Sequence, residues 1–267
     1  MKEKIERIPD YNVKIKEYAH MTKIIRYREP VYVKAKKDQD KEAVEDVRAA
    51  DNERSQEYTD LPRTEEEERH CISTSLNRTK NMIYDLAQSN EWDWFLTLTF
   101  NPAVYESDRY DMVVRYFKRF IDNIRKHFCP DLVYLFVPEL HKDGVKYHLH
   151  GVINHADGLV FTDSGIKDDD GEPIYNLPVW KYGFSTASKI KDSARASSYI
   201  TKYMTKETVQ VTKGKHRYFA SRNIKKPMVT KLMSSVQNED IIRVYEPDNI
   251  KTVRTPVNSV SFFDVDD

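Results

Sequence analysis

The sequence has little of three things: cysteine, glycine and long apolar runs. Of its 267 residues only two are cysteines, Cys71 and Cys129, and seven are glycines. A disulfide framework and a thiolate zinc site are therefore not expected, and the composition fits a reducing cytoplasm. No stretch approaches the ~20 apolar residues needed to span a bilayer. The start, MKEKIERIPD, has no apolar run typical of a signal peptide, so no membrane partner is expected.

Net charge is also lacking, because 43 Lys and Arg balance 43 Asp and Glu. Taken alone, this balance argues against a nucleic-acid partner, but the charges are unevenly distributed. Residues 181–231 hold 13 basic and two acidic residues, whereas residues 38–69 hold 13 acidic and five basic ones. This asymmetry predicts a localised polyanion site, although basic residues on solvated helix faces give the same pattern. The candidate DNA contacts are Lys181, Lys189, Lys206, Arg217 and Arg222.

The order of predicted elements indicates an α+β fold. Residues 1–35 contain β-branched and aromatic runs typical of strands, and residues 36–63 indicate a charged linker or solvated helix. Residues 64–235 form the main domain, with the predicted order β-α-β-β-β-α-β and hairpin-length links between strands. Residues 155–178 are expected to be a polar loop, followed by a short strand at 179–184. Residues 236–267 are assigned to a C-terminal tail.

The segment YHLHGVI carries the clearest chemical signal. Side chains alternate along a strand, so His148 and His150 point to one face, and we expect Leu149 and Val152 to serve the opposite, buried face. A turn at 142–144 brings Glu139, at the end of the preceding strand, beside the two imidazoles. Such a set of nitrogen and oxygen ligands suits Mn²⁺ or Mg²⁺, and the donors by themselves also suit zinc. The bland alternative is an ordinary polar strand face.

His141 is a spare metal ligand, or a residue that supports the ligands from behind. It lies between Glu139 and the predicted turn.

The segment SSYITKYMTK carries a second signal, because Tyr199 and Tyr203 are four residues apart. On a helix running to about residue 206, the two rings share one face. A phenol attacks poorly at neutral pH unless a cation stabilises the phenolate or the reacting phosphate, and Lys202 or a metal ion serves that purpose. The structural alternative is that both tyrosines, among 17 in the chain, pack against the sheet.

Three segments, FLTLTF (95–100), YHLHGVI (147–153) and YITKYMTK (199–206), occur in the order found in a known family. The chain resembles rolling-circle replication initiators of the HUH endonuclease superfamily, especially the two-tyrosine type of small phages and bacterial plasmids. The resemblance covers roughly residues 70 to 230. It implies an antiparallel sheet similar to an RNA-recognition module and covered by helices. The helicase motif GxxxxGK[ST] of many viral initiators is absent.

Residue by residue, the resemblance implies that Glu139, His148 and His150 bind Mg²⁺ or Mn²⁺. It implies Tyr199 as first nucleophile, Tyr203 as second and Lys202 as their assistant. The implied activity is nicking of single-stranded origin DNA, which leaves a 5′-phosphotyrosine and a 3′-OH primer. The implied partners are a host helicase and DNA polymerase in a bacterial cytoplasm.

Several interpretations stay open. Four aromatic residues in or next to the basic region are candidates to stack on unpaired bases: Trp180, Tyr182, Tyr218 and Phe219. A relaxase or single-strand transposase would use the same cleavage for DNA transfer, although relaxases place the nucleophile before the histidine motif. A non-catalytic origin-binding repressor would keep only the fold.

Overall fold

A computed structural model describes residues 7–34, 64–141, 143–212, 214–255 and 257–266. It divides the chain into two compact units. One unit comprises Glu17–His20 and Ile72–Met228, and the other comprises the remaining described residues. The whole of the predicted linker at 36–63, and Lys142 of the predicted turn, lie outside the described residues. Within the described part, the helices are too short or too polar to cross a membrane.

The first unit is built on a seven-stranded sheet. Its strands are β3 (Trp94–Phe100), β4 (Val133–Leu140), β5 (Tyr147–Asn154), β6 (Thr162–Lys167), β7 (Pro173–Asn176), β8 (Gly183–Lys189) and β9 (Phe219–Ala220). They lie in the order β6-β7-β8-β3-β5-β4-β9, and every paired neighbour is antiparallel. The short link between β4 and β5 gives the hairpin that the sequence predicts.

One face of this sheet packs against α2 (Tyr110–His127), whose apolar residues recur at helical spacing. Val113, Phe117 and Ile124 are buried there against Leu98 and Leu149. Fully burying side chains of this size stabilises the fold by roughly 1.5–3 kcal/mol each. This cluster fixes the position of the strands that carry the histidines.

The opposite face is only partly covered. There α1 (Glu65–Gln88), α3 (Ser193–Ile200) and α4 (Lys206–Val211) pack over β4 and part of β5. Leu86, Ile200 and Met204 are buried against Val137 and Val152. Val152 therefore shares a face with the histidines, and its predicted place on the opposite face was wrong. Positions 148, 150 and 152 are separated by two residues, so they point the same way.

The second unit has a five-stranded sheet and one helix, α5 (Asn238–Tyr245). Its strands are β1 (Arg7–Glu17), β2 (Met21–Lys34), β10 (Met228–Leu232), β11 (Asn249–Arg254) and β12 (Ser259–Asp266), in the order β10-β1-β2-β12-β11. The residues assigned to a C-terminal tail thus form a helix and two strands, and β12 pairs with β2. The buried residues Val13, Ile24, Ile241 and Phe263 form its core.

The α+β prediction is confirmed, although the chain forms two antiparallel sheets rather than one. Helix α1 begins with a capping box of the sequence pattern Thr64-x-x-Glu67: the Thr64 backbone N–H donates to Glu67 Oε2 at 2.9 Å, and the Thr64 hydroxyl accepts from the Glu67 N–H. The polar loop predicted at 155–178 was wrong, because β6 and β7 form a hairpin there. The next strand begins at Gly183 rather than near residue 179.

Gly151 lies inside β5, the histidine strand that carries His148 and His150, at a position where a side chain of the neighbouring strand packs closely against the backbone. A Cβ atom built at this position would lie 2.2 Å from the Phe136 ring, which belongs to the neighbouring strand. The glycine leaves room for that ring against β5, where it fills the core on the side away from the histidines.

We expect Gly151→Ala to lower the free energy of unfolding by about 1–3 kcal/mol, because the added methyl group must displace the Phe136 ring. Urea denaturation of the full chain measures the change. The double variant Gly151→Ala/Phe136→Leu should lose less than the sum of its single variants, since they share one contact. Additive losses would contradict the packing explanation.

Candidate active site

The candidate site is laid out by strand register. His148 of β5 pairs with Glu139 of β4 on one side and with Thr99 of β3 on the other. His150, one step along, pairs with Val137 and with Thr97. Directly paired residues point to the same face, so the two imidazoles, the carboxylate and the two threonine hydroxyls lie together.

Glu139 and His150 are in direct contact, with Glu139 Oε2 at 2.8 Å from His150 Nε2. Burial, and then the neighbouring His148 imidazole, lower the pKa of His150 to about 3. The ring is therefore neutral at physiological pH and donates its Nε2–H to the carboxylate. The pKa of Glu139 lies above its ordinary value, because the effect of burial is larger than the opposing effect of the His141 charge.

Thr97 and Thr99 of the neighbouring strand β3 contact the two histidine rings through their hydroxyl groups. The Thr97 hydroxyl lies 3.1 Å from His150 Nδ1, and the Thr99 hydroxyl lies 3.1 Å from His148 Nδ1. Both Nδ1 atoms thus face a hydroxyl, so Nε2 is the nitrogen of each ring that would face a ligand; on His150 this requires that Nε2 give up its hydrogen bond to Glu139 and that the ring carry its proton on Nδ1. Sequence reasoning missed this role, although the TxT spacing in FLTLTF has the same period of two as the HxH spacing.

No three His, Cys, Asp or Glu side chains within the described ranges are placed closely enough to hold a metal ion. The rings of His148 and His150 are nearly parallel, with centroids 6.4 Å apart. The donor set is nevertheless correct in kind for a hard or borderline divalent cation, with one carboxylate and two neutral imidazoles held at Nδ1. His141 stacks on His148 at 4.9 Å between centroids and also lies 3.5 Å from Asp143.

The tyrosines reach this face from a broken helix. Asp192 caps α3 by accepting from the Arg195 N–H, and α3 ends at Ile200. A single 3₁₀ turn, Thr201–Tyr203, follows before Thr205 caps α4. The prediction of one helix continuing to about residue 206 was wrong, because the Thr205 cap starts a new helix there.

The Tyr203 ring stacks on the His150 imidazole, with 3.8 Å between centroids and 12° between planes. Tyr199 meets Tyr203 edge to face at 5.4 Å. The structure therefore places both tyrosines beside the histidine strand, and Phe95 of β3 contacts both rings.

The two phenols differ in surroundings. Tyr203 is half-buried, and burial, a hydrogen bond with Tyr199 and the charge of Glu139 raise its pKa. Tyr199 is 44% exposed. Lys202 Nζ lies 4.8 Å from the Tyr199 ring centroid, close enough for a cation–π interaction. The more accessible phenol is thus the one beside an ammonium group.

The predicted DNA-contacting residues are not all on this face. Lys181 and Arg222 are exposed, but Lys189 extends over Trp94, on the side of the sheet that faces α2. Arg217 is half-buried and donates to the hydroxyls of Ser75 and Thr79 in α1. The side chain of Lys206 lies outside what the structure describes.

The predicted base-stacking aromatic residues are mostly occupied. Trp180 is 4% exposed and donates its indole N–H to the Thr99 carbonyl, so its predicted stacking role was wrong. Tyr182 and Phe219 pack against the cluster on the α2 face, and Tyr218 packs against the cluster on the other face. An aromatic ring can either pack in the hydrophobic core or stay free to stack on a base, and the sequence composition does not reveal which of the two applies.

Residues 93–208 match the family model described as replication-associated protein ORF2. The matched region contains the FLTLTF strand, the histidine strand and both tyrosines. Over these residues the chain is similar to replication-associated proteins, and this similarity supports a role in replication initiation. No curated protein and no solved structure matches the chain.

We expect Thr97→Val to lower the free energy of unfolding by about 1–3 kcal/mol, because it leaves the buried His150 Nδ1 without a partner. Thr97→Ser, which keeps the hydroxyl, should recover most of the loss. Chemical denaturation of the three proteins provides the comparison. Equal stability of the valine variant and the parent would contradict a structural role for this hydrogen bond.

Proposed function

We propose that the protein is a replication initiator that nicks single-stranded origin DNA by tyrosine attack. The observation that carries this proposal is the stacking of Tyr203 on His150, because it brings the phenol pair to the Glu139 carboxylate and the two imidazoles. The similarity to replication-associated proteins supports the same role. A phenol nucleophile at this site favours DNA strand transfer over simple hydrolysis.

In the first step the Tyr199 oxygen attacks a phosphodiester. A phosphorus–oxygen bond forms to the phenol as the bond to the 3′ oxygen breaks, and the phenol proton is balanced by the proton gained at the 3′-OH. Lys202 stabilises the phenolate, since its ammonium group lies beside the Tyr199 ring. The products are a 5′-phosphotyrosine and a free 3′-OH, which a host polymerase extends while a host helicase unwinds the duplex.

Glu139, His148 and His150 are the residues that would hold Mg²⁺ or Mn²⁺. When bound, such an ion stabilises the negative charge that develops on the phosphate oxygens. The protein's own contribution is to keep both imidazoles neutral, because burial lowers the pKa of each, and to align them through hydrogen bonds with Thr97 and Thr99.

The second tyrosine gives the site a way to finish the cycle. Tyr203 cleaves the regenerated origin junction, and the 3′-OH released by that cleavage attacks the phosphotyrosine at Tyr199. The displaced strand is then closed into a circle. Because the two rings touch, one active site can perform both transfers.

We expect Tyr199→Phe to abolish the first covalent adduct, whereas Tyr203→Phe should still nick but fail to rejoin. Full-length protein is incubated with Mn²⁺ and labelled single-stranded DNA from the intergenic region of the replicon that encodes it, and the yield of SDS-stable adducts is measured. Tyr245→Phe, at the exposed end of α5, is the matched control and should behave as the parent. Equal adduct yield from Tyr199→Phe would reverse the assignment of the two tyrosines.

We expect EDTA to abolish adduct formation and added Mn²⁺ or Mg²⁺ to restore it, because Glu139 and the histidines supply a cation site.

His148→Ala should lose roughly a hundredfold or more in adduct rate, in line with loss of a main electrostatic contribution, while keeping its DNA affinity at low salt. His127→Ala, at the exposed end of α2, serves as control. Metal-independent, reversible DNA binding without any adduct would instead support an origin-binding repressor.

A further inference from the structure

Phe184 is an unusual surface residue. Its side chain is 76% exposed, more than any other aromatic residue that the structure describes. It lies near the start of β8, where the alternating residues Ser185 and Ala187 are buried on the opposite face. The exposure follows from the strand's pleat, which directs positions 184 and 186 away from the core.

The sheet register places Phe184 in line with the candidate site. Phe184 pairs with Thr99, which pairs with His148, which pairs with Glu139. The four side chains therefore form one row across four adjacent strands, on the same face. The ring lies two strand spacings, or about 10 Å, from the histidine strand.

This end of the face is open because the covering helices lie elsewhere. The apolar cluster formed with α1, α3 and α4 includes residues of β4, β5 and Phe95 of β3, but no residue of β8. Thr186, the next residue of β8 on this face, is also exposed. An exposed ring thus stands beside a polar row that leads to the carboxylate and the histidines.

The charge around this face favours a polyanion. Exposed Lys202 lies beside Tyr199 on the face of the histidines, and exposed Lys181 lies three residues before Phe184 in the chain. A strand of DNA passing from Phe184 toward the tyrosines would meet a flat apolar ring and then the Lys202 ammonium group. Aromatic rings combined with basic side chains are the usual means of binding unpaired nucleotides.

We propose that Phe184 is a stacking platform for an unpaired base close to the scissile phosphate. This inference rests on the proposed function, since it assumes that single-stranded DNA crosses the histidine face. It also supplies the stacking residue that the packed Trp180 cannot provide. The ring holds the strand by its base, which leaves the neighbouring phosphate to the row of polar side chains.

Fluorescence anisotropy with a labelled oligo-dT measures the contribution of the ring. Phe184→Ala should weaken binding by roughly tenfold or more, the usual effect of removing one base–aromatic stack, while Phe184→Trp should bind at least as well as the parent. Thermal unfolding should stay unchanged because the ring is exposed. Phe128→Ala, which removes a 45% exposed ring at the end of α2, is the matched control.

An abasic oligonucleotide separates stacking from phosphate binding. The parent and Phe184→Ala should bind it equally, because it offers no base. In the Phe184→Trp variant, oligo-dT should quench the fluorescence of the newly introduced, exposed indole, whereas the abasic strand should leave that fluorescence unchanged. Unchanged oligo-dT affinity of Phe184→Ala, or an equal loss of affinity for the abasic strand, would overturn the inference. A change in oligomeric state without a change in DNA affinity would overturn it too.

The outcome is separable from that of the nicking assay. If Tyr199 and Tyr203 form no adduct but Phe184→Ala loses oligo-dT affinity, the stacking site stands and the catalytic proposal fails. If adducts form and Phe184→Ala binds as the parent does, the catalytic proposal stands and the stacking site fails.

Discussion

The antiparallel register between β3 and β5 is the constraint on which the candidate site depends. It places Thr97 opposite His150 and Thr99 opposite His148, so each hydroxyl meets the Nδ1 atom of its partner. A slip of one residue would turn the threonines to the other face and replace them with leucines. The core formed with α2 prevents that slip, because the leucines of β3 are buried on its side.

The sheet is used differently on its two sides. The face toward α2 is packed with large apolar residues and stabilises the fold. The histidine face is covered by helices on one side and open to solvent on the other. Helices α1, α3 and α4 bury the β4 side, and β8 is left open with Phe184 outward. A partly exposed row of polar side chains on rigid strands suits a site that must admit a polymer and still hold its side chains in place.

The helix break after Ile200 has a related effect. The 3₁₀ turn and the Thr205 cap end one helix and begin the next, and the Tyr203 ring lies flat on His150. Tyr199, still on α3, stays at the surface beside Lys202. Two phenols of the same type thus acquire different exposure and different surroundings. That difference gives a physical basis for assigning them successive roles.

The sequence by itself determined the local patterns: the α+β class, the shared face of His148 and His150, the turn that returns Glu139 to them, and the capping of α1. These follow from periodicity and from hydrogen bonding between near neighbours. Only the tertiary structure decided which aromatic rings are free, since Trp180 is buried and Phe184 is exposed. It also decided the threonine contacts, the hairpin of β6 and β7, and the pairing of C-terminal residues with β2. Each of these depends on partners distant in the chain, and the spacing of residues within one segment does not specify which distant segment packs against it.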